Sequence, residues 1–399
     1  MKILLSAYAC EPQKGSEPAA GWKWIYELSK REHNIYVITR LNNKSNIETY
    51  LDKNNPNHKI NFIYYDLPSF FIKLKKRFKC TRIYYFIWQC FIFKKCLNLH
   101  KKIKFDVIHH ITFGGLRHFS LLGEIDANTI IGPLGGSETS PRWLRRYIGF
   151  KGFVYETFRD LCNLLTFIDP FFLRSIKKSK KLIFTTKSGK KYCPTIYHNK
   201  VYISPIIGLN ENEYPKTRVS IEKQKKVLFA GRHLHWKGMR IGIDAFNKAL
   251  ENDPKLRLTI VGSGNATKYW KSSVKNYRID SFVKWIPWLS KSEYEKIYRS
   301  HGIFIFPSLH DSGGFVVLDA LKNGLPVICF DLGGPADTLN KSSGIIIKTD
   351  IKNYQQLTEN FSNAINQLSS DRETWELLSK GAQKRSKDFL MKKLVDKFY

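Results

Sequence analysis

Two positive side chains lie close together in the segment FAGRHLHWKG (229–238), where a short apolar run gives way to a turn. Arg232 and Lys237 are five residues apart. A planar guanidinium and a mobile ammonium at this spacing can together neutralise a diphosphate. A diphosphate site without a metal needs such cations, so the segment is a candidate anion site. Two solvated surface cations are the alternative interpretation.

Two carboxylates and two glycines form a second candidate, in PSLHDSGGFVVLDAL (307–321). Asp311 follows an apolar run, Gly313 and Gly314 come next, and Asp319 lies eight residues after Asp311 on a predicted helix. The glycines let the backbone approach a ligand, and the carboxylates can accept hydrogen bonds from sugar hydroxyls. Alternatively, Asp311 caps the helix and Asp319 lies on its solvated face.

The segment ACEPQKGSEPAAGW (9–22) is a third, weaker candidate. Gly15 and Ser16 stand where the backbone N–H groups of a helix start can meet a phosphate, and Ser16 is the predicted N-cap of that helix. An ordinary strand-to-helix turn has the same pattern.

The segment DVIHHITFGG (106–115) contributes two adjacent imidazoles, His109 and His110. Consecutive residues of a strand point to opposite faces of the sheet, so one of the two can reach a ligand. A single histidine is more often structural, and both interpretations stay open.

Short apolar runs place these motifs on a repeated strand-and-helix framework. Continuous apolar runs are typical of strands buried on both faces, as in parallel sheets covered by helices. The pattern predicts two doubly wound, Rossmann-like α/β domains joined by a linker at 203–216. The predicted strands are 2–7, 34–39, 59–65, 106–111, 128–133, 181–186, 226–231, 256–262, 282–287, 303–308, 326–331 and 344–348. The predicted helices are 18–31, 239–251, 290–300 and 314–323.

Composition narrows the function classes. The 399 residues are 43% hydrophobic, which suits two packed domains. The formal charge of +32 indicates an anionic partner, whether nucleic acid, membrane or a phosphorylated ligand. The seven cysteines lack zinc-ligand spacing and favour a reducing cytoplasm. The N-terminus is not typical of a secretory signal, and no apolar run is long enough to span a membrane.

Residues 67–105 concentrate positive charge. They hold eleven Lys and Arg interleaved with aromatic residues, and no Asp or Glu. This mixture suits the interface of an anionic inner-leaflet membrane, and we expect the protein to be peripheral there, on the cytoplasmic side. The alternative is an amphipathic helix pair that packs on the N-terminal sheet. Nucleic-acid binding would explain the charge, but no recognition module is present, so no nucleic-acid partner is expected.

Taken together, these segments resemble glycosyltransferase family 4, retaining enzymes of the GT-B fold, over nearly the whole chain. The stretch from His310 to Gly334 is similar to the family's E-x7-E segment, and GRHLHWKG (231–238) is similar to its Arg/Lys segment. SAYACEPQKGSEPAAGW, HHITFGG and GPLGGSE (132–138) resemble a bacterial branch that builds surface polysaccharides, including lipopolysaccharide.

The resemblance implies two domains that face a central cleft. Residues 1–205 would bind the acceptor, residues 206–375 would bind the nucleotide sugar, and a C-terminal helix in 376–399 would cross back to the first domain. No metal is expected as an obligatory partner, and no cofactor beyond the sugar nucleotide substrate.

The resemblance also implies roles by position. Arg232 and Lys237 would bind the diphosphate of the donor, Asp311 would contact the transferred sugar, and Asp319 would hold the nucleotide ribose. The predicted donor-binding residues are, besides Asp319, Gly15, Ser16, Gly262, Gly264, Trp285, Pro287, Trp288, Ser312, Gly313, Gly314 and Phe315.

The chain departs from the family at three positions. Asp311 and Asp319 stand where the family usually has Glu, so each side chain is one methylene shorter. Many relatives carry a histidine near GPLGGSE, where this chain has small residues and Glu138. His109 and His110 are therefore the nearest imidazoles for a catalytic role.

The expected activity is that of a hexosyltransferase-type glycosyltransferase (EC 2.4) acting on a lipid-linked glycan acceptor, with retention of configuration. The cations would stabilise the departing diphosphate. Three other interpretations stay open: a GT-B phosphorylase, a sugar-phosphate synthase, and a non-catalytic scaffold of a polysaccharide assembly.

Overall fold

The computed structural model describes residues 1–215 and 220–399, which form two compact units. Unit 1 comprises Met1–Ser137, Leu161–Gly208 and Met391–Tyr399, and unit 2 comprises Glu138–Asp160 and Leu209–Leu390. Each unit is therefore assembled from separate stretches of the chain.

The two units differ from the predicted domains in the placement of residues 138–160 and of part of the predicted segment 376–399. The chain changes unit after Gly208, inside the predicted linker 203–216, of which Lys216 lies outside the described residues. Residues 138–160, predicted in the N-terminal domain, are part of unit 2. Of the predicted returning segment 376–399, only residues 391–399 belong to unit 1.

Unit 1 is built on a parallel sheet. Its strands are β1 (Lys2–Ser6), β2 (Asn34–Thr39), β3 (Ile60–Tyr64), β4 (Val107–His110), β5 (Asn128–Leu134), β6 (Lys181–Phe184) and β7 (Val201–Ile203). The order is β3-β2-β1-β4-β5-β6-β7. Ile3 and Leu5 pack in one apolar cluster with Trp24, whereas Leu4 packs in another with Trp88. Alternate residues of β1 thus fill the two faces, as the continuous apolar runs predicted.

Helices cover both faces of this sheet. They are α1 (Ser16–Ser29), α2 (Lys44–Asn54), α3 (Ser69–Phe78), α4 (Thr81–Ile103) and α6 (Pro170–Lys178). Helix α5 (Phe150–Leu164) lies between α4 and α6 in the chain. The boundary between the units falls within α5, after Asp160.

Unit 2 repeats the architecture. Its strands are β8 (Lys226–Ala230), β9 (Arg257–Val261), β10 (Val283–Ile286), β11 (Ile303–Phe306), β12 (Val327–Phe330) and β13 (Gly344–Ile347). They are parallel, in the order β10-β9-β8-β11-β12-β13. Phe306 stacks between Phe229 and Phe304 with ring centroids 6.1 Å apart in each pair, and all three are fully buried. Because β9, β8 and β11 are neighbouring parallel strands, their carboxyl ends lie at one edge of the sheet.

The helices of unit 2 are α7 (Met239–Asn252), α8 (Thr267–Asn276), α9 (Lys291–Arg299), α10 (Phe315–Lys322), α11 (Gly333–Thr338), α12 (Tyr354–Ser370) and α13 (Arg372–Ser386). The chain ends with α14 (Met391–Asp396), which belongs to unit 1 and forms an ion pair with Arg31 through Asp396, 2.5 Å. All the predicted strands and helices form. Strand β7 was not predicted, because three half-buried residues give little pattern.

Within residues 1–215 and 220–399, no helix is both long and apolar enough to cross a bilayer.

Candidate functional site

Two loops meet at the carboxyl edge of the sheet in unit 2, after the neighbouring strands β8 and β9. A Cβ on Gly262 would lie 2.0 Å from the carbonyl oxygen of Gly231, and one on Gly264 would lie 2.4 Å from that of His233. Both Gly262 and Gly264 also have positive φ, so only glycine fits this contact without strain. The predicted glycines thus pack against the segment that carries Arg232.

The turn that carries Lys237 is held against the loop after β11. Lys237 ends a 3₁₀ turn, His235–Lys237, and Gly238 follows with φ +64. A Cβ on Gly238 would lie 1.9 Å from the carbonyl oxygen of Pro307. This close approach explains why glycine follows the lysine, and it brings Lys237 to the Asp311 loop.

Lys237 and Asp311 form the centre of the site. The Lys237 ammonium donates a hydrogen bond to Asp311 Oδ2. Asp311 Oδ1 accepts the N–H groups of Gly313 at 3.1 Å and Gly314 at 3.3 Å. Burial favours the neutral carboxyl, but the ammonium and the two N–H groups outweigh it and hold the pKa of Asp311 below its ordinary value of 3.8. The carboxylate is therefore charged at neutral pH.

Glycines at the start of α11 pack closely against the backbone around Asp311. Gly334 donates its N–H to the Asp311 carbonyl oxygen at 2.7 Å. A Cβ on Gly333 would lie 2.5 Å from the same oxygen. Ser312 donates its hydroxyl to Glu138 Oε2 at 2.5 Å. The loop is consequently fixed on both sides by residues distant in sequence.

Helix α10 begins at Phe315, with Gly314 as its N-cap at φ +53. Asp319 lies on this helix, 38% exposed, with its carboxylate 3.0 Å from the Lys322 ammonium. Both the spacing and the helical position of Asp319 agree with the sequence prediction. The N–H groups of Gly313 and Gly314, expected as donors to a ligand, are engaged by Asp311 instead.

The remaining predicted residues of unit 2 lie around the same edge. Arg232 is exposed, two residues after the end of β8. Trp285, on β10, has its ring 5.5 Å from the Lys271 ammonium. Pro287 and Trp288 follow β10, and the Trp288 side chain is 75% exposed. The structure therefore brings Lys237 and Asp311 into contact and leaves Arg232 and Trp288 open to solvent.

Gly15 and Ser16 lie at the start of α1 in unit 1. Gly15, not Ser16, is the N-cap, and a Cβ on Gly15 would meet nothing within 4 Å. The next residue, Glu17, accepts the N–H of Phe113 with its carboxylate. Burial raises the pKa of Glu17, against the backbone N–H groups of Phe113 and Gly114, which lower it.

His109 and His110 are core residues of unit 1, 0% and 1% exposed. His109 donates from Nε2 to the Gly132 carbonyl oxygen at 2.8 Å and accepts the Tyr399 hydroxyl at Nδ1. His110 Nε2 lies 3.0 Å from the Tyr85 hydroxyl. Burial lowers the pKa of His109 to about 4 and that of His110 to about 3. The two rings point to opposite faces as predicted, but the expectation that one is accessible is wrong, because both faces are covered by helices.

The sequence prediction missed a buried carboxylate beside the site. Glu156, fully buried on α5, has Oε1 3.1 Å from His235 Nε2 and 3.0 Å from His310 Nε2. Burial opposes its charge, but the hydrogen bonds from the two imidazoles hold the pKa of Glu156 well below its ordinary value. His235 lies two residues before Lys237 and His310 directly precedes Asp311, so Glu156 joins the two loops that carry the ion pair.

The spacing of polar residues along α5 predicts that Glu156 faces inward. Gly152, Glu156, Arg159 and Asn163 recur at helical spacing and are all buried. A lone glutamate among aromatic residues at that spacing indicates an inward-facing carboxylate.

Across the described parts of the chain, the His, Cys, Asp and Glu side chains form no group suited to hold a metal ion.

Comparison with known sequences finds a family model similar to most of unit 2. Residues 210–385 match the model of a family described as Glycosyl transferases group 1. The uncharacterised glycosyltransferase MJ1607 of Methanocaldococcus jannaschii is 26% identical over 293 residues, 68% of this chain and 70% of that protein. The amylovoran biosynthesis glycosyltransferase AmsD of Erwinia amylovora is 27% identical over 217 residues, 53% of this chain. The chain spans 58% of the length of AmsD, less than two thirds.

Two solved structures have a similar fold along the whole chain. Anabaena Alr3699/HepE in complex with UDP and glucose matches with a TM-score of 0.62 at 14% identity, over 100% of this chain and 98% of that one. The apo form of the lipopolysaccharide outer core galactosyltransferase WaaB matches with a TM-score of 0.64 at 12% identity, with the same coverage. These likenesses confirm the predicted GT-B fold of two parallel-sheet, Rossmann-like domains. The match of residues 210–385 to the group 1 model and the related sequences support the assignment of the chain as a glycosyltransferase.

Proposed function

We propose that this glycosyltransferase is a retaining enzyme of family 4 that transfers a hexosyl group from a nucleotide-diphosphate sugar to a glycan acceptor. The observation that carries the proposal is the Lys237–Asp311 pair, which sets a cation and a carboxylate side by side at the carboxyl edge of a doubly wound sheet. Solved neighbours support this donor class, since Alr3699/HepE has been crystallised with UDP and glucose.

The two members of the pair would bind different parts of the donor. In this proposal Lys237, with the exposed Arg232, neutralises the diphosphate as it departs. Asp311 accepts a hydrogen bond from a hydroxyl of the transferred sugar, which rejects sugars that lack it because a charged, partly buried carboxylate would lose its partner. Asp319 holds the ribose, and Gly262, Gly264, Trp285, Pro287 and Trp288 surround the nucleoside.

Four predicted donor contacts keep narrower roles. Ser312 and Phe315 flank the two glycines of the Asp311 loop and shape the sugar subsite. Gly15 and Ser16 of unit 1 stay predicted phosphate contacts, since the space beside Gly15 is open.

His109 and His110 have no role in the proposed chemistry, because their rings are enclosed in the core of unit 1.

The proposed reaction needs no protein nucleophile. The bond between the anomeric carbon and the diphosphate oxygen breaks, and the acceptor hydroxyl forms the new bond on the same face. The proton of that hydroxyl passes to the departing phosphate oxygen, so charge and atoms balance. Lys237 acts at this oxygen, where negative charge develops in the transition state.

The acceptor in this proposal is lipid-linked and the enzyme is peripheral on the cytoplasmic face of the membrane, where it builds a surface polysaccharide. Helix α3 supports this, because none of its residues is buried and Phe70, Leu74 and Phe78 form an exposed stripe among its lysines. Helix α4 packs Tyr84, Trp88 and Ile92 into the core, as the alternative interpretation expected. The outer side of α4 still exposes basic and aromatic residues, and in this proposal they face the anionic inner leaflet.

A screen of nucleotide sugars by thermal shift tests the donor class. We expect UDP- or GDP-sugars to raise the unfolding temperature, because ligand binding to the folded state stabilises it. NMR of the product then tests retention, which requires the anomeric configuration of the donor. Inverted product contradicts the mechanism. Turnover that requires inorganic phosphate or a phosphorylated acceptor contradicts the transferase proposal in favour of a phosphorylase or a sugar-phosphate synthase.

A further inference from the structure

The loop between β9 and α8 of unit 2 is held in place from beneath by a buried histidine, His233. We call residues 262–266 the nucleoside loop, because the proposed function places them around the nucleoside. Residues 263–265 are exposed. His233 donates its backbone N–H to the Ser263 carbonyl oxygen at 2.9 Å, and its own carbonyl oxygen accepts the N–H of Ala266 at 2.9 Å. The backbone of one residue thus holds the nucleoside loop at two points.

The His233 side chain adds a hydrogen bond that reaches the same loop. Its Nδ1 lies 2.8 Å from the Thr267 hydroxyl, and that oxygen accepts the N–H of Gly264 at 3.0 Å. Because the hydroxyl already accepts one hydrogen bond, it can donate its own proton to Nδ1. We assign the neutral imidazole the tautomer with its proton on Nε2, which leaves Nδ1 as an acceptor. The imidazole therefore orients the hydroxyl that holds Gly264.

Packing alone does not explain a histidine at this position. The ring is 0% exposed and lies among aromatic side chains, with its centroid 4.6 Å from that of Trp270, 5.9 Å from Trp285 and 6.3 Å from Phe229. Burial lowers the pKa of His233 to about 4, so the ring is neutral at pH 7. A polar ring in such surroundings carries a desolvation cost that an apolar side chain avoids. What an apolar side chain could not supply is the hydrogen bond to Thr267.

We propose that His233 is a positioning residue for the nucleoside part of the donor. This inference rests on the proposed function, which places the nucleoside loop and Trp285 around that group. Because its side chain is enclosed, His233 acts through Thr267 and through its contact with Trp285. The nucleoside stays in place while the bond to the sugar breaks, so its contacts contribute equally to the ground state and the transition state. Loss of the imidazole should therefore raise the KM for the donor and leave kcat unchanged.

Two substitutions remove the side-chain contact, one from each partner. His233→Leu deletes the acceptor nitrogen, and Thr267→Val replaces the hydroxyl by a methyl group of similar shape. Because the Thr267 side chain is only half-buried, the second variant keeps the test valid if the first does not fold. His233→Asn is the rescue variant, since its side-chain oxygen can accept the Thr267 hydroxyl in place of Nδ1.

A second buried histidine of unit 2 offers a matched control. His301 has its Nε2 2.8 Å from the Thr259 hydroxyl and is 5% exposed. It lies two residues before β11, at the opposite edge of the sheet from the nucleoside loop. His301→Leu thus removes a comparable buried hydrogen bond from the same sheet without reaching that loop.

Hydrogen exchange without nucleotide measures the loop itself, by mass spectrometry of peptides that cover residues 262–267. We expect His233→Leu and Thr267→Val to exchange about tenfold faster there than the wild type, because the Gly264 N–H loses a fixed acceptor. His233→Asn and His301→Leu should exchange in this segment like the wild type. Wild-type protection of the segment in both test variants overturns the proposal.

Calorimetric titration of UDP and GDP, with steady-state kinetics, measures the consequence for the donor. We expect the nucleotide Kd and the donor KM to rise about tenfold in His233→Leu and in Thr267→Val, with little further rise in the double variant. His233→Asn should recover most of the affinity, and His301→Leu should bind like the wild type. A fall in kcat at unchanged KM overturns the proposal. A wild type that binds neither nucleotide contradicts the proposed function and with it this inference, whereas equal binding by the wild type and both test variants contradicts this inference alone.

Discussion

The Lys237 ammonium pairs with the Asp311 carboxylate across the loops after β8 and β11, although 74 residues separate the two along the chain. Their side chains are 14% and 16% exposed, so each charge depends on the other for stabilisation in the absence of a ligand. The pair therefore preorganises a cation and a carboxylate before a donor arrives.

Substitution Asp311→Asn separates sugar recognition from diphosphate binding. Asn keeps an oxygen that can accept the N–H groups of Gly313 and Gly314, so the loop keeps its shape. We expect kcat/KM to fall about tenfold to a hundredfold, because a charged hydrogen bond to the sugar is lost. The affinity for the free nucleoside diphosphate should be nearly unchanged. An equal loss in both quantities contradicts the assigned contact with the sugar.

Substitution Glu156→Gln tests the link between the two loops. It removes the charge that His235 and His310 share, and we expect a loss of about 1–3 kcal/mol in unfolding free energy together with a lower kcat/KM. Urea denaturation and steady-state kinetics measure the two effects. Glu359→Gln, an exposed position of unit 2, is the control. The role of Glu156 is disproved if the variant matches that control.

Substitution Gly333→Ala should displace the Asp311 loop. The added Cβ would lie 2.5 Å from the Asp311 carbonyl oxygen, at a φ of +62. Gly149→Ala also places a side chain at positive φ, +83, with nothing within 4 Å of the new Cβ. We expect both variants to lose about 1–3 kcal/mol of stability. Only Gly333→Ala should lower kcat/KM, by up to about a hundredfold, because the loop moves. Equal activity of the two variants contradicts the loop geometry.

The buried histidines of unit 1 should make stability depend on pH. The folded pKa is lowered to about 4 for His109 and about 3 for His110, against an ordinary value of 6.5. Below pH 6.5 the unfolded chain binds protons that the folded chain does not, so stability falls as pH falls towards 4. His110→Gln should reduce this slope by up to about 1.4 kcal/mol per pH unit.

Urea denaturation from pH 7 to pH 4.5 measures that slope, with His58→Gln on the surface of unit 1 as the control. The same His110→Gln variant separates a structural from a catalytic role. A large loss of turnover at pH 7 in a folded variant would falsify the assignment of His110 to the core.

The sequence predicted the framework because strand burial is a local pattern. The apolar runs at Val227, Ile260 and Phe304 alone indicate parallel strands, and parallel strands bring their following loops to one edge. Lys237 and Asp311 could be singled out for that reason. The ion pair between them could not, since it depends on how Gly238 and Pro307 approach each other.

Local sequence patterns do not predict the contacts of Glu156. His310 lies 154 residues further along the chain, and the assignment of residues 138–160 to unit 2 has no counterpart in the strand pattern. The histidines were misjudged for a related reason. Alternation predicts which face His109 and His110 occupy, but not that Tyr399 and Tyr85 cover those faces.

Calorimetric titration of UDP and GDP tests the central claim most directly, with wild type, Lys237→Ala and the exposed control Lys255→Ala. The account predicts that at least one nucleotide binds the wild type and the control equally. It also predicts that Lys237→Ala weakens that binding by about tenfold or more, since a charged hydrogen bond to the diphosphate is lost. Equal affinity of Lys237→Ala and wild type, or no binding of either nucleotide to the wild type, would contradict it.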